Sequence, residues 1–139
     1  FMRETFSGDG LAADYRGPAG KRSLRSRSCT GLSDAILFTT SPLLMNETDR
    51  AAFRKVEATV KLSRYGGDCY AYCMLAAGHI DLVVEAGLQA YDVQAPIAVI
   101  EAAGGIVTDW EGRPAHQGGR ILAASSPAVH KAAMVALRG

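Results

Sequence analysis

Three cysteines, Cys29, Cys69 and Cys73, show no CxxC spacing, which argues against a disulfide framework or a cysteine zinc site. The three histidines, His79, His116 and His130, are widely separated and follow no metal-ligand spacing, so all three read as surface or structural residues. Long apolar runs are missing: Ala95–Ala103 is interrupted by Glu101 and is far too short to cross a bilayer. No basic-plus-apolar leader opens the sequence, and a cytoplasmic protein is expected. Excess charge of one sign is absent as well. The net charge of +1 and the 48% hydrophobic content exclude the composition of a disordered chain. No internal repeat or low-complexity tract is present.

The small charge is unevenly spread. Residues 1–28 hold six Lys/Arg (Arg3, Arg16, Lys21, Arg22, Arg25, Arg27) against three acids (Glu4, Asp9, Asp14). Arg25 and Arg27 alternate with Ser26 and Ser28 and lack stacking aromatics. That pattern suits the wet face of an edge strand better than a nucleic-acid footprint.

Along the chain, Phe1–Phe6 and Arg22–Cys29 read as weak strands around a loop, Ser7–Gly20, rich in Gly, Asp and Pro. Ala35–Thr40 (AILFTT) has the continuous apolar character of a buried strand and ends at Ser41-Pro42. Asn46 is placed to cap a helix with Phe53, Val56 and Val60 on its inner face. An extended piece, Leu62–Tyr65, leads to Gly66-Gly67 and a helix over Asp68–Ala77, expected to bury Cys69, Tyr72, Cys73 and Ala76. A strand over Ile80–Glu85 follows, then a helix over Val93–Ala103 capped by Asp92, with Pro96 in its first turn. Gly104-Gly105 ends that helix, and Ile106–Asp109 and Arg120–Ala124 read as strands. Ser126-Pro127 opens a last helix to about Leu137. Helices alternating with apolar strands predict a layered α/β domain.

Three acids fall at element ends and not on solvated helix faces: Asp68, Glu85 and Asp92. Side chains at strand ends and helix starts can converge on one cleft in an α/β sheet. Carboxylates there suit a hard cation such as Mg²⁺. Each acid also has a structural reading. Asp92 and Asp68 can serve as helix caps, whereas Glu85, after Leu82-Val83-Val84, lies close to the core and is hardest to explain that way. Gly66-Gly67 before a helix can expose N–H groups to an anion.

The window from Arg64 to Gly105 resembles the C-terminal half of the inositol monophosphatase-like, metal-dependent phosphatases. Tyr91-Asp92-Val93-Gln94-Ala95 followed by Glu101-Ala102-Ala103-Gly104-Gly105 is similar to the family's second signature, whose first position is more often Trp. The stretch YGGDCYAYCMLAAGHIDLVVE, and the segments RGPAGKR, LRSRSC and LSDAILFTTSP within Arg16–Pro42, resemble the histidinol-phosphate phosphatase branch.

The resemblance implies an α/β layered sandwich: residues 1–30 as the tail of an N-terminal antiparallel sheet, and 31–139 as a C-terminal mixed-sheet domain flanked by helices. It implies Asp92 as a Mg²⁺ ligand, and Glu85 and Asp68 as substrate contacts, with Arg64 beside Asp68 and Gln89 on the leaving-group side. Two or three Mg²⁺ ions would activate a water for in-line attack on a phosphate monoester and steady the leaving alkoxide. Two substrate-binding carboxylates suit the cationic histidinol better than neutral inositol. An inositol or nucleotide phosphatase, and a non-catalytic α/β binding module, are the alternatives. The family's Glu-Glu pair and Asp-Pro-x-Asp-Gly-Thr loop are found nowhere in residues 1–139. With the start at Phe1, this leads to the expectation of half an active site, inactive alone, whose partners are the other half, a small phosphorylated substrate and a second copy in a homo-oligomer.

Overall fold

The computed structural model describes residues 2–139. Three strands, β1 (Thr5–Gly8), β2 (Ala13–Gly17) and β3 (Gly20–Ser23), form an antiparallel sheet in the order β1-β2-β3. A second, mixed sheet follows, with β4 (Ile36–Thr39), β5 (Leu62–Tyr65), β6 (Leu82–Leu88), β7 (Ile106–Thr108) and β8 (Gly119–Ala124) in the order β5-β4-β6-β8-β7. Both neighbours of β4 run parallel to it, and β8 is antiparallel to β6 and β7.

Parallel neighbours need crossover connections, and helices supply them. The helices are α1 (Glu47–Glu57), α2 (Asp68–Ala76), α3 (Ala90–Ala102) and α4 (Pro127–Arg138). Alternation along the strands sorts the core into two faces. Leu37, Leu82 and Val84 join Phe53 and Val56 of α1 and Val129 and Ala133 of α4. Val83, Ile121 and Ala123 pack on the other side with Tyr72 and Leu75 of α2 and Val93 and Ile100 of α3. Ala13, Tyr15 and Leu24 extend this second cluster into the three-stranded sheet, which lies against α3. At Gly8 the approach is so close that a Cβ would stand 2.7 Å from the Ala98 carbonyl oxygen. The architecture is the expected α/β sandwich with a mixed sheet between helical layers.

Several element boundaries differ from the sequence reading. The expected loop Ser7–Gly20 contains β2, the central strand of its sheet. Its Ala13 and Tyr15 point inward while Asp14 and Arg16 point out, an alternation hidden by flanking Gly and Pro. Pairing stops at Ser23, short of the expected Cys29; beyond it the Leu24 and Ser26 N–H groups donate to Ala13 and Ala103 carbonyls. Phe1, part of the first expected strand, lies outside the described residues. Helix α2 buries Ala71, Tyr72, Leu75 and Ala76, whereas Cys69 is exposed and Cys73 half-buried. Helix α3 starts at Ala90, three residues earlier than expected, with Gln89 as its cap. Pro96 therefore lies in the second turn, where its missing N–H leaves the Asp92 carbonyl without the usual i+4 donor. The caps at Asn46 and Ser126 form as expected, accepting from the Asp49 and Val129 N–H groups. Among the described residues no helix is long and apolar enough to cross a membrane.

Candidate functional site

The carboxyl ends of β4 and β6 and the first turns of α2 and α3 meet around a cleft of about 510 Å³. Ligands of open α/β sheets bind at such ends. Its lining includes Thr39, Thr40 and Ser41 after β4, Asp68, Cys69 and Tyr72 on α2, Glu85 on β6, and Tyr91, Asp92 and Pro96 on α3. Three carboxylates thus face one space, and no basic side chain is among the residues lining it. The first turns of α2 and α3 bring the partial positive ends of both helices to this cleft.

Glu85 is 5% exposed. Its Oε1 accepts from the Thr40 N–H at 2.9 Å and from the Thr40 hydroxyl, and its Oε2 accepts from the Tyr72 hydroxyl at 2.7 Å. Tyr72 is buried and lines the cleft. Burial first, and the neighbouring Glu85 charge second, push its phenol well above the ordinary tyrosine range. Position follows from strand parity: Glu85 shares the α2-facing side of β6 with Val83, and Thr40 lies one residue past β4 on that same side.

Asp92 does not cap α3 in the manner expected. It sits at the third helical position, and its Oδ2 accepts from the Gln89 N–H at 2.7 Å. That bond holds the carboxylate at the rim and leaves Oδ1 as the oxygen available to a cation. Asp68 also forms no side-chain cap; it is exposed, and its φ of +44° is a left-handed conformation that an Asp side chain tolerates better than most. The Thr39 hydroxyl, at the same cleft, is buried without a hydrogen-bond partner among the described residues.

Of the five residues singled out by sequence, Asp68, Glu85 and Asp92 come together here. Arg64 is exposed and, among the described residues, its side chain bonds its neighbour's carbonyl alone, and Gln89 contributes a backbone N–H to Asp92; neither is among the described residues that line the cleft. Sequence reasoning missed Thr40 and Tyr72 as site residues. Tyr72 was legible as buried, and the polar Thr39-Thr40-Ser41 ending an apolar strand was the available signal.

Residues 3–138 match the inositol monophosphatase family, and the chain belongs to that family. It is 51% identical over 90 residues to the bifunctional phosphatase IMPL2, chloroplastic, of Arabidopsis thaliana, covering 65% of this chain and 26% of that protein. It is 31% identical over 121 residues to a histidinol-phosphatase of Streptomyces coelicolor, covering 86% of this chain and 43% of the relative. Among solved structures, an inositol monophosphatase from Zymomonas mobilis superposes with a TM-score of 0.91 at 36% identity, covering 98% of this chain and 53% of that one. The chain therefore spans about half or less of the length of these relatives.

Proposed function

We propose that this chain forms the metal-holding and alcohol-binding wall of a Mg²⁺-dependent phosphatase whose substrate is a small cationic phosphate monoester, histidinol phosphate. The observation that carries this reading is the convergence of Asp68, Glu85 and Asp92 on one cleft lined by no basic side chain. Such a wall attracts cations and repels a bare phosphate, so the phosphate must arrive with metal. Asp92 fits a hard cation as one oxygen ligand, since a single N–H occupies only its Oδ2. No group of three metal-ligating side chains exists among the described residues, so the remaining ligands come from outside them. When bound, Mg²⁺ would polarise the phosphoryl oxygens and lower the pKa of a water. Glu85 and Asp68 would orient the leaving alcohol and favour its positive charge. A complementary half of the site and a second copy of the chain are the proposed partners, in a cytoplasmic setting. Leu43 and Leu44, 79% and 72% exposed beside the cleft, supply apolar surface for such contacts.

The test is phosphate release with Mg²⁺. Assayed alone, the 139-residue chain is expected to release none from histidinol phosphate. Fused behind the complementary half of the Zymomonas mobilis enzyme, it should hydrolyse histidinol phosphate in preference to inositol phosphate. Asp92→Asn should abolish turnover in that chimera. Turnover by the chain alone, or preference for inositol phosphate, would sink the proposal.

A further inference from the structure

We infer that Thr40 and Tyr72, acting with Glu85, present hydroxyl oxygens that can only accept hydrogen bonds beside the open Glu85 acceptor position, so that this part of the cleft floor selects a primary ammonium group over a hydroxyl. The inference rests on reading the cleft as a substrate site, and it assigns specificity to two residues whose own protons point away from the substrate.

A carboxylate offers about four lone-pair positions. Glu85 spends two on Oε1, for the Thr40 N–H and hydroxyl, and one on Oε2, for Tyr72. One acceptor position on Oε2 remains. Each hydroxyl has a single proton, and both protons are committed to Glu85. The Thr40 and Tyr72 oxygens can therefore turn only lone pairs toward the cleft that they line. The buried phenol keeps its proton through the physiological range, so this polarity does not reverse.

An ammonium carries three donors and no acceptor, which matches such a floor. A hydroxyl offers one donor and sets its own lone pairs against the others. Charge adds to the match. Glu85 is almost fully buried and forms no ion pair among the described residues, so an arriving cation meets an uncompensated carboxylate in a region of low dielectric. Geometry and charge make separable demands: a quaternary ammonium satisfies the second and not the first.

The experiment is an amide-resolved NMR titration of the 139-residue chain near neutral pH with three probes. These are 2-aminopropan-1-ol, its N,N,N-trimethylated counterpart, and propane-1,2-diol. The primary amine should shift the Thr40 and Glu85 amides saturably and bind roughly tenfold or more tightly than either other probe. Tyr72→Phe and Thr40→Val, checked for folding by circular dichroism, should each reduce that preference several-fold. Glu85→Gln, which places an amide donor in the floor, should abolish it. Equal binding of the quaternary amine or the diol would overturn the inference, as would the lack of any saturable shift by the amine. An unchanged preference in both folded Tyr72 and Thr40 variants would overturn it too. The phosphate-release chimera reads a different quantity. If it prefers inositol phosphate while the amine preference holds here, the proposed substrate fails and the ammonium site stands. If the amine preference is absent while the chimera hydrolyses histidinol phosphate, the reverse is true.

Discussion

Asp81 and Glu85 lie four residues apart on the same side of one strand and its lead-in, about 13 Å from each other along the chain. Both are buried, at 0% and 5% exposure. Asp81, at the end of the sheet away from the cleft, receives two guanidinium bonds from Arg27, the Ile36 N–H at 2.8 Å and the Ser125 hydroxyl at 3.3 Å. Its acceptor capacity is filled and its charge is matched. Glu85 receives three bonds, all from neutral donors, and keeps one lone pair open to the cleft. A buried carboxylate with its own cation is part of the scaffold. One without a cation is a place where a cation is expected to arrive.

The largest expected effect tests the scaffold side. Arg27→Met removes the counter-ion of Asp81 and strands a carboxylate that has no access to water. Loss of one partner of a buried pair costs about 3–5 kcal/mol, and the low end applies because the Arg27 side chain is 38% exposed and partly screened. Glu85→Gln, which removes a charge that has no partner but turns an amide donor toward one of its neutral donors, should cost less, about 1–2 kcal/mol. Urea unfolding midpoints of the two variants measure the contrast, and equal losses would break it.

Acid titration sharpens the same point. Burial pushes the Asp81 carboxyl upward, but the Arg27 and Ile36 hydrogen bonds outweigh it and hold the group below its ordinary 3.8. A carboxyl depressed in the folded state contributes stability that is present above the unfolded value. That stability is lost as pH falls through the folded one. The Arg27→Met variant should lose this acid limb. A milder slope is expected at higher pH from His130, whose ring bonds the Thr108 hydroxyl and whose pKa burial lowers from 6.5. The unfolded chain takes up that proton first, so stability is full above 6.5 and declines as pH falls below it. His130→Gln should flatten that decline in thermal melts taken at pH values below 6.5 and leave the Asp81 limb unchanged.

The same two carboxylates show what sequence reading reached. Glu85 stood out because an acid after Leu82-Val83-Val84 contradicts the burial of the strand. Asp81, one residue before that run, carries an equal contradiction, but no local pattern marks its resolution, because its partner Arg27 is 54 residues away. Long-range pairing of this kind leaves no local periodicity. Apolar spacing and capping residues sufficed for the main helices and the central strands. They failed at β2, where five residues between glycine-rich turns carry too short an alternation, and at the start of α3. There Asp92 looked like the cap because Asp is a good one. Its bond to the Gln89 N–H fits equally well three residues inside, and only tertiary placement distinguishes the two. The cleft acids were legible one at a time; the hydroxyls that orient them were not, since Thr40 and Tyr72 have no pattern that links them to Glu85.

The smallest effect follows from the thiols, which mark the two ends of the sheet. Cys69 is exposed in the cleft wall; Cys29, near Arg27, is buried and donates to the Gly31 carbonyl. Cys73, one turn along α2 from Cys69, is half-buried, and burial pushes its thiol up to about 11. Near pH 8 only roughly one in a thousand Cys73 side chains would be thiolate, the form that reacts. Labelling with a disulfide reagent should therefore modify Cys69 first, with Cys73 and Cys29 reacting only slowly or on unfolding, as mapped by peptide mass spectrometry. If the cleft is where cations gather, 2-aminopropan-1-ol should slow Cys69 by about the fraction of sites it fills and leave Cys29 untouched. Protection of both thiols would mean that the amine acts on the whole fold. Protection of neither would mean that its binding leaves the Cys69 side of the cleft open, and the difference between the two ends would rest on the carboxylates alone.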